Sequence, residues 1–152
     1  MPEVRTPLIR HQYPALREEE SRLLRHYLRE HGVESVDRLR TQVRVGQGEI
    51  VTSLPPKWQR VARDLSRWKI DAVIDTASST ELVELKSRGT HTAAGQLVGY
   101  SNWLRQSPAE RSQFKLSIVA FRVHPDLREG LKGTGIRVHV LPEADETTAS
   151  RS

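Results

Sequence analysis

The stretch "ELVELKSRGTHTAAGQLVGY", Glu81 to Tyr100, changes its period halfway along. The first half alternates like a half-buried strand, and the second spaces its apolar residues like a helix. In such a strand Leu82, Glu84 and Lys86 share one face, while Val83 and Leu85 fill the other. A carboxylate and an amine on one face of an otherwise apolar strand mark either a solvated surface or a site. Alternation alone does not separate the two.

The segment before it does bear on the choice. "KIDAVIDT" also alternates, and "TASS" between the two runs reads as a hairpin turn. A two-residue loop (Ala77, Ser78) and a four-residue loop (Thr76 to Ser79) give the same register. Asp75 then faces Thr80, Val73 faces Leu82, and Asp71 faces Glu84. Directly opposed side chains stand about 4.5–5.5 Å apart, so two carboxylates there repel. Lys69 and Lys86, one pair further along on the same face, can offset that as a surface salt network, which stabilises little. A divalent cation between the carboxylates is the alternative, and Mg²⁺ favours one or two carboxylates with waters and a phosphate oxygen.

Outward from this hairpin, the chain reads as an α/β protein with a central mixed sheet flanked by helices. A helix is expected over Pro14–His31, with Leu16, Leu23, Leu24, Tyr27 and Leu28 on one face and Gly32 as its stop. Glu20 breaks that face, four residues after Leu16 and four before Leu24. Glu18 and Glu19 point more outward, where the helix dipole favours them. Val43 to Leu54 alternates loosely around Gly46 and Gly48, as a short hairpin does. Pro55 and Pro56 start a helix with Trp58, Val61, Ala62 and Leu65 on one face. A helix over Thr92–Arg105, a strand over Phe114–Val123, a short helix within His124–Gly133 and a last strand over Ile136–Leu141 complete the order.

The 152 residues fit one domain over 1–152, with an N-terminal arm at 1–13 and a flexible tail at 143–152. A content of 36% apolar and 28% charged residues is that of a soluble globular chain. No apolar run is long enough to span a bilayer and no secretory leader is legible, so the expected location is the cytoplasm, with no membrane partner. The absence of cysteine excludes disulfides, thiolate zinc sites and cysteine nucleophiles. The six histidines lack the spacing of a helical zinc site, which leaves a hard cation held by carboxylates as the metal the composition favours. Lys and Arg outnumber Asp and Glu by 24 to 19, a balance that suits a phosphate polyanion.

Asp71, Glu84 and Lys86, in "IDAVIDTASSTELVELK", resemble the signature of the PD-(D/E)xK nuclease superfamily, with Ile70 in the proline position. "GQLVGY" supplies Gln96 and Tyr100, similar to the Gln-x-x-x-Tyr element of the subgroup that holds RecB-like and archaeal mismatch or branched-DNA nucleases. The helix carrying Glu20 precedes the hairpin, as the first helix of that family does. The chain also resembles small phage-encoded members. The resemblance implies a restriction-endonuclease-like core and a deoxyribonuclease dependent on Mg²⁺ or Mn²⁺. It implies Asp71, Glu84, the backbone carbonyl of Leu85 and Glu20 as metal ligands. Lys86 would stabilise phosphate charge or position water, with Gln96 and Tyr100 beside it in the catalytic set. Lys69, Arg67 and Arg88 would hold the DNA backbone. The same fold also serves in phage virions as head-completion or packaging-associated components, so a virion-located, catalytically vestigial structural protein with other phage proteins as partners is the alternative.

Overall fold

A computed structural model describes residues 8–104 and 114–143. Five strands form one mixed sheet in the order β1-β2-β3-β4-β5. They are β1 (Val36–Val45), β2 (Trp68–Thr76), β3 (Thr80–Gly89), β4 (Phe114–Val123) and β5 (Ile136–Val140). The first three run as an antiparallel meander, and β4 and β5 lie parallel to β3. The helices are α1 (Glu18–His31), α2 (Pro56–Ser66), α3 (His91–Leu104) and the single turn α4 (Leu127–Gly130). Parallel neighbours need a crossover, and α3 supplies the one between β3 and β4. The result is the expected α/β architecture, a restriction-endonuclease-like core.

The two faces of the sheet are covered separately. On one, Leu23, Leu24, Tyr27 and Leu28 of α1 pack on Ala72, Ile74, Val83, Leu85 and Val119. On the other, Ala93, Ala94, Leu97 and Tyr100 of α3 pack on Val73, Leu82 and Ile118. Strand β3 is therefore apolar on both sides along most of its length, which is why Glu84 on it is conspicuous. Leu8, Ile9 and Tyr13, within the expected arm, pack against the α1 cluster, and the Tyr13 hydroxyl donates to the Leu8 carbonyl. The expected tail lies outside the described residues except for Glu143, whose carbonyl accepts from Arg22. Arg105, at the end of the expected third helix, lies outside them too.

Two expectations are corrected. There is no hairpin over Val43–Leu54; instead a ten-residue strand, β1, ends at Val45 and pairs with β2 from Val36↔Thr76 to Val45↔Trp68. The first helix starts at Glu18 rather than Pro14, with the Arg17 N–H donating to Glu20 Oε1 at 2.8 Å.

Candidate functional site

Strands β2 and β3 pair in the register the turn implies, from Asp75↔Thr80 to Ala72↔Val83. The Thr76 N–H donates to the Ser79 carbonyl at 2.8 Å and closes the turn over Ala77 and Ser78. The ladder ends one step before Asp71 and Glu84. Here the Leu85 N–H leaves the β2 backbone and donates to Asp71 Oδ2 at 2.9 Å. The β2–β3 ladder therefore does not reach Lys69 and Lys86, and the cross-strand partner of Lys69 on β1 is Arg44.

A distortion in β1 lies directly across from Asp71. Gln42 has φ of 51°, in the left-handed region that a non-glycine residue seldom adopts. At this level both strands exchange faces: Leu39, Ala72 and Ile74 belong to the α1 core, whereas Val43, Val45 and Ile70 belong to the α3 core. The exchange leaves Asp71 at the crossing point, where Gln42 Nε2 donates to Asp71 Oδ1 at 3.2 Å. Gln42 is a site-shaping residue that the sequence did not flag.

Both carboxylates are buried, Asp71 at 7% exposure and Glu84 at 1%. Burial rules out a merely solvated charge pair. Asp71 accepts from the Leu85 N–H and from Gln42, but among the described residues Glu84 Oε1 is buried without a hydrogen-bond partner. Burial first, and the charge of Asp71 second, push the Glu84 carboxyl up to about 8. Burial also raises Asp71, partly countered by the Leu85 N–H and reinforced by the charge of Glu20. Lys86 Nζ stands 3.7 Å from Glu84 Oε2 and is 38% exposed, so it faces outward from the pair.

The remaining residues fall around this centre unevenly. Tyr100 on α3 is buried, and its hydroxyl is held well above its ordinary value by burial and then by the charges of Glu84 and Asp71. It is therefore a neutral O–H beside the carboxylates. Gln96, one turn earlier, is half-buried, and its Oε1 has no partner among the described residues. Glu20 is half-buried, close enough to raise Asp71, yet its Oε1 accepts from its own helix start. Glu19 is exposed, as expected, and accepts from the Ser87 hydroxyl, which ties α1 to the end of β3. Among the described residues, no three His, Asp or Glu side chains gather as a ready metal cluster. Arg67 is committed to backbone, donating to the carbonyls of Gly46 and Arg44, while Lys69 and Arg88 are exposed.

The donor set nevertheless fits a hard cation. Two carboxylates, one with a bare buried oxygen, are oxygen ligands whose mutual repulsion and desolvation an ion would relieve. The Leu85 carbonyl would add a third oxygen, since a strand residue turns its N–H and its carbonyl toward the same neighbour, and the Leu85 N–H donates to Asp71.

No family model matches the chain, and no curated protein matches it. Two solved structures resemble it at low identity. A repair endonuclease from Pyrococcus abyssi shares 14% identity at a TM-score of 0.42, over 69% of this chain and 40% of that one. The EndoMS-dsDNA2 complex shares 16% identity at a TM-score of 0.48, over 90% of this chain and 50% of that one. The chain thus spans half or less of the length of each.

Proposed function

We propose that the chain is a nuclease of the PD-(D/E)xK type, in the Gln-x-x-x-Tyr subgroup, hydrolysing DNA phosphodiester bonds with Mg²⁺ or Mn²⁺. The observation that carries this is the buried Asp71–Glu84 pair with one bare oxygen and a single outward lysine beside it. Burying two carboxyl groups side by side is costly, and sites that bind or catalyse are where such costs persist. Asp71, Glu84 and the Leu85 carbonyl would hold the cation, with Glu20 a further carboxylate near enough to share it through water. Bound there, such an ion supplies Lewis-acid polarisation of a phosphate and a lowered pKa for a water.

The chain's own residues do the rest. Gln42 and the Leu85 N–H fix the Asp71 carboxylate in one orientation. Lys86, exposed enough to meet a ligand, holds a phosphate oxygen or orients the attacking water. Tyr100 stays protonated and can donate its O–H to an oxygen near the pair. Lys69 and Arg88 are exposed cations open to the DNA backbone, and Arg67 shapes the loop between β1 and α2 rather than reaching out. Cleavage of plasmid and linear DNA with Mg²⁺ or Mn²⁺, against a chelator control, tests the assignment.

Affinity for DNA should fall steeply as salt rises, because arginine and lysine contacts to phosphate release counterions. A plot of log affinity against log salt, measured by anisotropy without metal, is expected to be linear with a slope of a few units. A flat line would remove nucleic acid as the partner.

A further inference from the structure

Among the described residues, helix α2 buries none of its side chains, and its apolar face, Trp58, Val61 and Leu65, lies open. Trp68 at the start of β2 is 53% exposed, and Trp103 near the end of α3 is 47% exposed. Two shallow grooves meet at Trp68. One, of about 270 Å³, is lined by Trp68, Gly95, Gln96, Gly99 and Tyr100. The other, of about 370 Å³, runs over Gly46 and Gly48 between Trp68 and Trp103. Set against ligand sites of roughly 300–1,000 Å³, the first falls just below the range and the second at its small end, with room for single rings.

We propose that these grooves take unpaired bases of a DNA strand that passes the Asp71–Glu84 pair, so that the substrate is single-stranded DNA rather than intact duplex. The proposal rests on the nuclease reading of that pair and adds its substrate class.

Position is the first support. The Trp68 and Tyr100 ring centroids are 6.2 Å apart, and Tyr100 in turn lies within the field of Glu84 and Asp71. Trp68 precedes Asp71 by three residues on one strand, about 10 Å at the usual strand rise. A base on Trp68 therefore places its strand beside the carboxylates.

Shape is the second. Bare backbone supports the rings from below: a Cβ added at Gly46 would lie 3.3 Å from Trp103 Nε1, and one at Gly99 would lie 3.6 Å from Trp68 Cζ3. The indoles lie against these glycines and keep exposed surface on which a base can stack. In a duplex the base faces are already covered by their neighbours, so stacking of this kind selects unpaired bases.

Charge is the third. From Arg44 to Lys69 the basic residues outnumber the acidic by six (Arg44, Lys57, Arg60, Arg63, Arg67, Lys69) to two (Glu49, Asp64), against 24 to 19 for the whole chain. An apolar face with a basic border complements a strand of bases on a phosphate backbone. A second copy of this chain would bring the same positive charge to the contact and be repelled.

The test is binding in a chelator, with tryptophan fluorescence and anisotropy, of oligo(dT) against a duplex of equal length. Tighter binding of the single strand by about tenfold is expected, with quenched tryptophan emission. Trp68→Ala and Trp103→Ala should each weaken single-strand binding by on the order of tenfold and leave duplex binding unchanged, while Trp103→Phe should keep most of the affinity. Equal or tighter duplex binding, or alanine variants with unaltered single-strand affinity, would overturn the proposal. So would a doubled mass in sedimentation that the alanine substitutions abolish, since the surface would then belong to a second copy. This binding needs no metal, whereas the carboxylate site is read by cleavage, so the two assignments fail separately.

Discussion

Asp71→Asn is expected to lower metal-dependent DNA cleavage by two orders of magnitude or more while leaving the protein folded. The amide keeps the shape of the carboxylate. Its oxygen can still accept from Leu85, and Gln42 can turn its own amide to accept from the new NH₂. What it loses is the charge that would hold a cation against a phosphate. Without metal the variant should be as stable as the wild type or more so, by up to about 1 kcal/mol, because a like charge beside Glu84 is gone. With Mn²⁺ the wild type should gain in melting temperature and the variant much less. A variant that cleaves normally would remove Asp71 from the site. One that melts far lower in a chelator would mean that the carboxylate is there to hold β3 in place.

The second large effect concerns pH. Glu84 titrates near 8 in the folded chain and near 4.5 when exposed. Above about 4.5 the unfolded state has given up its proton while the folded state keeps it, so the folded state binds more protons. Stability must therefore fall as pH rises through the window from about 4.5 to about 8, and level off beyond it. Asp71, also raised, adds a contribution of the same sign. Each tenfold difference in proton affinity between the folded and unfolded states is worth about 1.4 kcal/mol, so the total is on the order of a few kcal/mol. Glu84→Gln carries no proton to lose. It should flatten the slope and melt several degrees above the wild type at pH 8, as measured by thermal melts from pH 4.5 to 8.5 in a chelator. Identical slopes for the two proteins would mean that Glu84 is ionised and already compensated.

The β2–β3 hairpin was legible because its turn is short and both loop lengths compatible with it give one register. Asp75, Val73 and their partners sit as the spacing requires. The end of the ladder was not legible, since it depends on Asp71 accepting the Leu85 N–H in place of a backbone bond. Strand β1 could have been read: Leu39, Thr41, Val43 and Val45 alternate with Arg38, Arg40, Gln42 and Arg44. The glycines at 46 and 48 drew the expected hairpin too far along the chain. The distortion at Gln42 had no sequence signal, because a positive φ is expected of glycine or asparagine before glutamine. Helix α2 shows the limit of periodicity differently. Trp58, Val61 and Leu65 do form one face, as their spacing says, yet that face meets no core among the described residues. Spacing reports that a helix is two-sided and is silent on what covers either side.

A metal site at Asp71 and Glu84 is tested most directly by a calorimetric titration of Mn²⁺ into the wild type and Asp71→Asn at pH 7, in two buffers of different ionisation enthalpy. A carboxylate must be deprotonated to hold a cation, and Glu84 at this pH is largely protonated. Binding to the wild type should therefore release close to one proton, seen as a heat that changes with the buffer, and Asp71→Asn should bind far more weakly. Absence of binding, or binding of equal strength and proton release in both proteins, would contradict a metal site at these two carboxylates.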